Sequence, residues 1–67
     1  MIGDEFKARR EALGLDQKQV AERLCVGQPT ISRIEAGLKV PSVALVKLAA
    51  ELFGCTTDEL ILGEKSA

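Results

Sequence analysis

Residues 16–37, Asp-Gln-Lys-Gln-Val-Ala-Glu-Arg-Leu-Cys-Val-Gly-Gln-Pro-Thr-Ile-Ser-Arg-Ile-Glu-Ala-Gly, form two short amphipathic segments on either side of a corner. Val20, Ala21 and Leu24 recur at helical spacing in the first, and Ile31 and Ile34 do so in the second. Cys25-Val26-Gly27 makes the corner, and Gly37 stops the second segment. Helices this short are marginal in water when isolated. Both must therefore lay their apolar stripes on other helices, leaving two polar faces free for a target.

The remaining sequence has the same 3.6-residue period and no strand alternation. A first helix is expected from Gly3 or Asp4 to Leu13, stopped by Gly14. Asp16 with Gln19 three residues later is a capping box that opens helix 2, which ends at Leu24 or Cys25. Gly27 precedes helix 3, and Pro29 falls in its first turn, where a missing N–H costs little. Ser42 caps a helix 4 that runs to Phe53 and stops at Gly54. Thr56 and Glu59 form a second capping box for a short helix 5 through Leu60 to Leu62, and residues 64–67 are expected to fray. The expectation is a single all-α domain over residues 1–67, a compact bundle of five helices with the two-helix corner unit at about 17–36.

Composition excludes several functions. A chain of 67 residues makes one domain, and it buries only about 60% of its unfolded surface. Phe6 and Phe53 are its two aromatics, too few for stacking single-stranded bases. No run of about 18 apolar residues is present to span a membrane. Acidic Asp4 and Glu5 argue against a signal peptide, so a soluble, cytoplasmic chain is expected. There is no His, and Cys25 and Cys55 stand alone. No metal site, catalytic residue or cofactor is therefore expected. Each Cys reads as a small buried thiol, with a disulfide as the alternative. The net charge of −1 is unusual for a nucleic-acid binder. However, residues 1–39 hold seven Lys or Arg against six Asp or Glu, whereas residues 40–67 hold two against four.

Arg10, Gly14-Leu15-Asp16-Gln17, Val20-Ala21, Leu24, Val26, Ile31-Ser32, Glu35-Ala36-Gly37, Pro41-Ser42, Ala50 and Asp58-Glu59-Leu60 occur in an ordered, gapless series from about residue 6 to 62. In this the chain resembles the lambda repressor/Cro-type (XRE-type) helix-turn-helix domain. The resemblance implies a dimeric transcriptional regulator with helix 3 in the major groove of double-stranded DNA. It also implies that Gln17 anchors a DNA phosphate and that Arg10 pairs with Glu35 across the fold, not with DNA. One position departs from the pattern. The family commonly has Gly where Cys25 stands, and a Cys in a left-handed turn costs roughly 1–2 kcal/mol.

Four residues of helix 3 are candidate base contacts. Gln28 can bond adenine N6 and N7, and Arg33 can read guanine O6 and N7 or bind a phosphate. Pro29 matches a base-facing family position. It can pack on a thymine methyl or serve only to start the helix. Ser32 is a weaker base or phosphate candidate. Phosphate contacts are expected from Gln17, Lys18, Thr30 and Lys39, with Arg9 as an auxiliary.

Helix 4 is apolar nearly all round, with Lys47 and Glu51 as its polar exceptions. The family register places Val43, Val46, Ala50 and Phe53 in the core. Leu45, Leu48 and Leu52 then form a second stripe that, with Ile61 or Leu62, can meet a second copy of the chain; alternatively one small core absorbs both stripes. The function expected is a sequence-specific DNA-binding regulator, a repressor acting as a homodimer on a near-palindromic operator. It would need no small-molecule ligand and no membrane partner, and would associate with the nucleoid when bound. The alternative is a protein–protein interaction module, or an antitoxin-like partner, using the same fold with weak or no DNA binding.

Overall fold

A computed structural model describes residues 2–63. It has five helices: α1 (Ile2–Ala12), α2 (Gln17–Arg23), α3 (Gln28–Glu35), α4 (Val43–Phe53) and α5 (Thr57–Leu62). No strand occurs among the described residues. Helix α1 begins and ends slightly earlier than its apolar pattern suggests, and α2 stops at Arg23 with Leu24 as its cap. The fraying expected over 64–67 lies outside the described residues.

Local chemistry sets the helix starts. Asp16 Oδ1 accepts from the Gln19 backbone N–H at 2.7 Å, and Gln19 Oε1 accepts from the Asp16 N–H at 2.8 Å. Thr56 and Glu59 repeat the arrangement at α5, both bonds at 3.0 Å. At α4, Ser42 Oγ accepts from the Leu45 N–H at 3.2 Å. Each pairing satisfies N–H groups that a helix start leaves without partners.

Four of the five helix ends share one device. After α2, the Val26 N–H bonds the Ala21 carbonyl at 3.0 Å and the Cys25 N–H bonds the Glu22 carbonyl at 3.3 Å. The same crossed pair closes α1 at Gly14, α3 at Gly37 and α4 at Gly54. The motif requires a left-handed residue, which is usually Gly. Cys25 adopts it with φ 59°, the one non-glycine with positive φ among the described residues. The turn thus keeps its geometry and Cys25 bears the strain. Replacing Cys25 by Gly is expected to stabilise the domain by about 1 kcal/mol, raising Tm by about 4–8 °C. Cys25→Ala, which keeps the Cβ, should melt near the parent temperature.

Phe6, Val20, Ala21, Leu24, Ile31, Ile34, Leu45, Val46, Ala49, Ala50 and Leu60 form the core. Helix α1 packs on α3 and α5, α2 on α3, and α4 on α5. At the crossing of α1 and α3, Gly3 is buried, and a Cβ there would collide with the Ile34 carbonyl oxygen. Gly3→Ala should therefore cost about 1–3 kcal/mol in urea unfolding, although Ala is the better helix former.

The structure corrects the expected facing of α4. Val43, assigned to the core, is 74% exposed, whereas Leu45, assigned to the outer stripe, is 8% exposed and belongs to the domain's own core. For Leu45 the reason is angular. At 3.6 residues per turn, Ala49, Phe53, Val46 and Ala50 lie about 40°, 80°, 100° and 140° around from Leu45. One wide arc accommodates both stripes. Leu52, about 20° outside it, is partly buried. Leu48, about 60° outside it, is 49% exposed. The buried-thiol expectation also fails in part, since Cys25 is exposed; Cys55 packs partly buried against the core. No disulfide joins these two cysteines.

Candidate nucleic-acid interface

Helix α3 divides cleanly between core and solvent. Ile31 and Ile34 are fully buried, whereas Gln28, Pro29, Ser32 and Arg33 are all exposed. The four candidate base contacts therefore share the solvent side of one eight-residue helix. Its N-cap is Gly27 in extended conformation, without a side-chain cap, and the Thr30 N–H bonds the Gly27 carbonyl at 3.0 Å. Thr30 and Gln17 are half-buried, less open than the phosphate candidates Lys18 and Lys39, which are both exposed.

What fixes α3 is a nearly buried ion pair. Arg10 Nε donates to Glu35 Oε2 at 2.8 Å and Arg10 Nη2 donates to Glu35 Oε1 at 3.0 Å, a two-point fork. The two side chains are only 12% and 5% exposed. Arg10 Nη1 donates further to the Leu15 carbonyl at 2.9 Å. The hydrogen bonding to Glu35 raises the Arg10 pKa above its ordinary value, against a smaller lowering by burial. The guanidinium is therefore charged throughout the physiological pH range.

Sequence reasoning missed one member of this network. Gln17 Nε2 donates to Glu35 Oε1 at 3.2 Å, so the first residue of α2 is bonded to the last residue of α3. A carboxamide nitrogen carries two N–H donors. One orients Gln17, and the second remains for another acceptor. No local pattern signals a contact across 18 positions; only the packed fold brings the two together. Arg9, the auxiliary candidate, instead lies beside Glu5 on α1, with Nη2 3.4 Å from Oε1.

The residues expected at a dimer interface separate. Leu45 is in the core and Leu52 is partly buried, whereas Leu48, Ile61 and Leu62 are exposed. Beside Ile61 lies an apolar groove of about 400 Å³, lined also by Ile2, Val40, Pro41, Val43 and Val46. Burial raises the pKa of the Cys55 thiol, opposed by nearby Arg9. No cluster of His, Cys, Asp or Glu able to hold a metal occurs among the described residues. No helix among them is long and apolar enough to cross a membrane.

A five-helix domain with a capped α2, a tight corner and an α3 tied to α1 and α2 through Glu35 defines the helix-turn-helix class. The helix-turn-helix family matches residues 6–60 of this chain, and the chain belongs to it, as an XRE-type member of the lambda repressor-like fold. Members of this family are DNA-binding transcription regulators. The chain is 34% identical over 64 residues to the HTH-type transcriptional activator BcrR of Enterococcus faecalis, covering 96% of its own length and 31% of that protein. It is 32% identical over 63 residues to YazB of Bacillus subtilis, an uncharacterized HTH-type transcriptional regulator, covering 94% of its own length and 91% of that protein. It thus spans less than a third of BcrR but nearly all of YazB. No solved structure matches the chain significantly.

Proposed function

We propose that this chain is a sequence-specific, double-stranded DNA-binding transcriptional repressor that acts as a homodimer on a near-palindromic operator. The observation that carries the reading is the exposed face of α3, where Gln28, Pro29, Ser32 and Arg33 stand together opposite the fully buried Ile31 and Ile34. Laid in a major groove, that face gives Gln28 to adenine and Arg33 to guanine. Gln17, Lys18, Thr30 and Lys39 then contact phosphates, which add affinity without sequence choice. A second copy, meeting the first through Leu48, Ile61 and Leu62, sets two α3 helices about 34 Å apart, one turn of DNA. Repression requires only that the bound dimer occlude a promoter, in the cytoplasm and on the nucleoid. BcrR is named an activator, so a reporter fused to the operator decides the sign.

The test is selection of bound duplexes from random DNA at two salt concentrations. A palindromic consensus with binding that falls steeply with salt is expected. Arg33→Ala should weaken binding to that consensus about 5- to 150-fold, as for loss of a bidentate base contact of about 1–3 kcal/mol, with Tm unchanged. Sedimentation showing monomer alone at high micromolar concentration would remove the homodimer. The net charge of −1 and the apolar groove beside Ile61 favour one rival, a protein-interaction module. No enrichment of any duplex at low salt is the result that selects it.

A further inference from the structure

Pro29 is the odd residue on the exposed face of α3. It sits in the first turn between Gln28 and Thr30, exposed, with Arg33 one turn further on. Its neighbours on that face, Gln28, Ser32 and Arg33, all carry hydrogen-bonding side chains. Pro29 offers neither a side-chain donor or acceptor nor a backbone N–H. The missing N–H has a further effect. The Thr30 N–H is already bonded to the Gly27 carbonyl, so the first turn of α3 retains little backbone donor capacity with which to hold a phosphate. Beside Gln28, this end of the helix presents an apolar ring to a groove.

We infer that Pro29 determines specificity by reading the C5-methyl group of a pyrimidine. This rests on the DNA-binding reading above and deepens it. In the major groove, adenine shows N7 and an amino group, guanine N7 and O6, and cytosine an amino group; thymine shows O4 and a methyl. A pyrrolidine ring over a purine edge or a cytosine amino group removes water and returns no hydrogen bond, leaving a polar group unsatisfied. Over thymine it buries methyl against methylene. Selection therefore works through exclusion of three bases as well as attraction to the fourth. The methyl of 5-methylcytosine occupies the same place in the groove as that of thymine. Cytosine methylation at this pair therefore creates a better site, and the protein responds to the modification state of its DNA.

The test uses the full chain and the duplex recovered by selection. Each thymine of one half-site is replaced in turn by deoxyuridine, which removes the methyl alone. One position is expected to lose about fourfold in affinity, the equivalent of ~0.8 kcal/mol for one buried methylene-sized group. At that same pair, 5-methylcytosine should bind about fourfold tighter than cytosine. Pro29→Gln should abolish both differences and shift the preference there toward adenine, with Tm lowered by about 2–8 °C through loss of the proline's constraint on the unfolded chain. The inference is overturned if no thymine responds to loss of its methyl, or if Pro29→Gln keeps the response. The wild-type comparisons decide it even if that variant fails to fold. Absence of any specific duplex overturns the DNA-binding reading itself, a result distinct from specific binding that ignores the methyl group.

Discussion

Glu35→Ala is expected to destabilise the domain by about 3 kcal/mol and lower Tm by about 10–25 °C. Glu35 accepts two hydrogen bonds from Arg10 and one from Gln17, with its own side chain 5% exposed. Truncation leaves the Arg10 guanidinium with the Leu15 carbonyl as its remaining partner, in a site only 12% exposed. Breaking a buried pair from one side typically costs 3–5 kcal/mol because the other charge is stranded. The lower end applies here, since Arg10 keeps a bond and some solvent. A domain of this length has only about 3–10 kcal/mol in total, so a substantial unfolded fraction is expected at 37 °C. The control is Arg10→Met combined with Glu35→Leu, which strands no charge and should melt well above the single variant. An unchanged Tm for Glu35→Ala would show that the fork contributes nothing to the fold. High salt should leave the wild-type melting temperature nearly unaltered, because a pair this buried is weakly screened.

That pair also shows which features were legible in the sequence. Helix starts were readable because Asp16–Gln19, Ser42 and Thr56–Glu59 act within three residues of themselves. The α3 stripe was readable because Ile31 and Ile34 stand among polar neighbours. In α4 the same periodicity argument failed. With apolar residues on nearly every side, the pattern carries no phase, and only packing against α5 and α1 settles that Leu45 turns inward and Val43 outward. Gly3 gave no local sign of its role, because what it must avoid, the Ile34 carbonyl, lies on another helix. Cys25 was visible as a departure from the family pattern, and the φ of 59° shows what the departure costs. The Gln17–Glu35 bond was invisible for the same reason as Gly3. It gives the α2–α3 unit a brace, so the spacing between the start of α2 and α3 is set by a side chain that is itself a proposed phosphate contact.

Phe6→Ala is expected to cost about 3–5 kcal/mol, enough to leave much of the chain unfolded at room temperature. Phe6 is fully buried at the middle of α1, and its ring meets Phe53 edge-on, centroids 5.2 Å apart at 89°. Helix α1 packs on α3 and α5, and the ring pair adds the end of α4 to that contact. Removing the ring therefore opens a cavity where the supports of α3 converge. Phe6→Leu keeps most of the volume and should cost less than about 1.5 kcal/mol. A double-mutant cycle with Phe53→Leu should return a coupling of about 0.5–1.5 kcal/mol for the edge-to-face pair. DNA binding separates this residue from those on the surface. Phe6→Ala should lose apparent affinity only in proportion to its unfolded fraction, and an osmolyte such as trimethylamine N-oxide, which favours burial, should restore it. Arg33→Ala should stay weak in the same osmolyte, because it is already folded and lacks the contact itself. Recovery of Arg33→Ala alongside Phe6→Ala would mean that Arg33 acts through stability, and would remove it from the base-reading set.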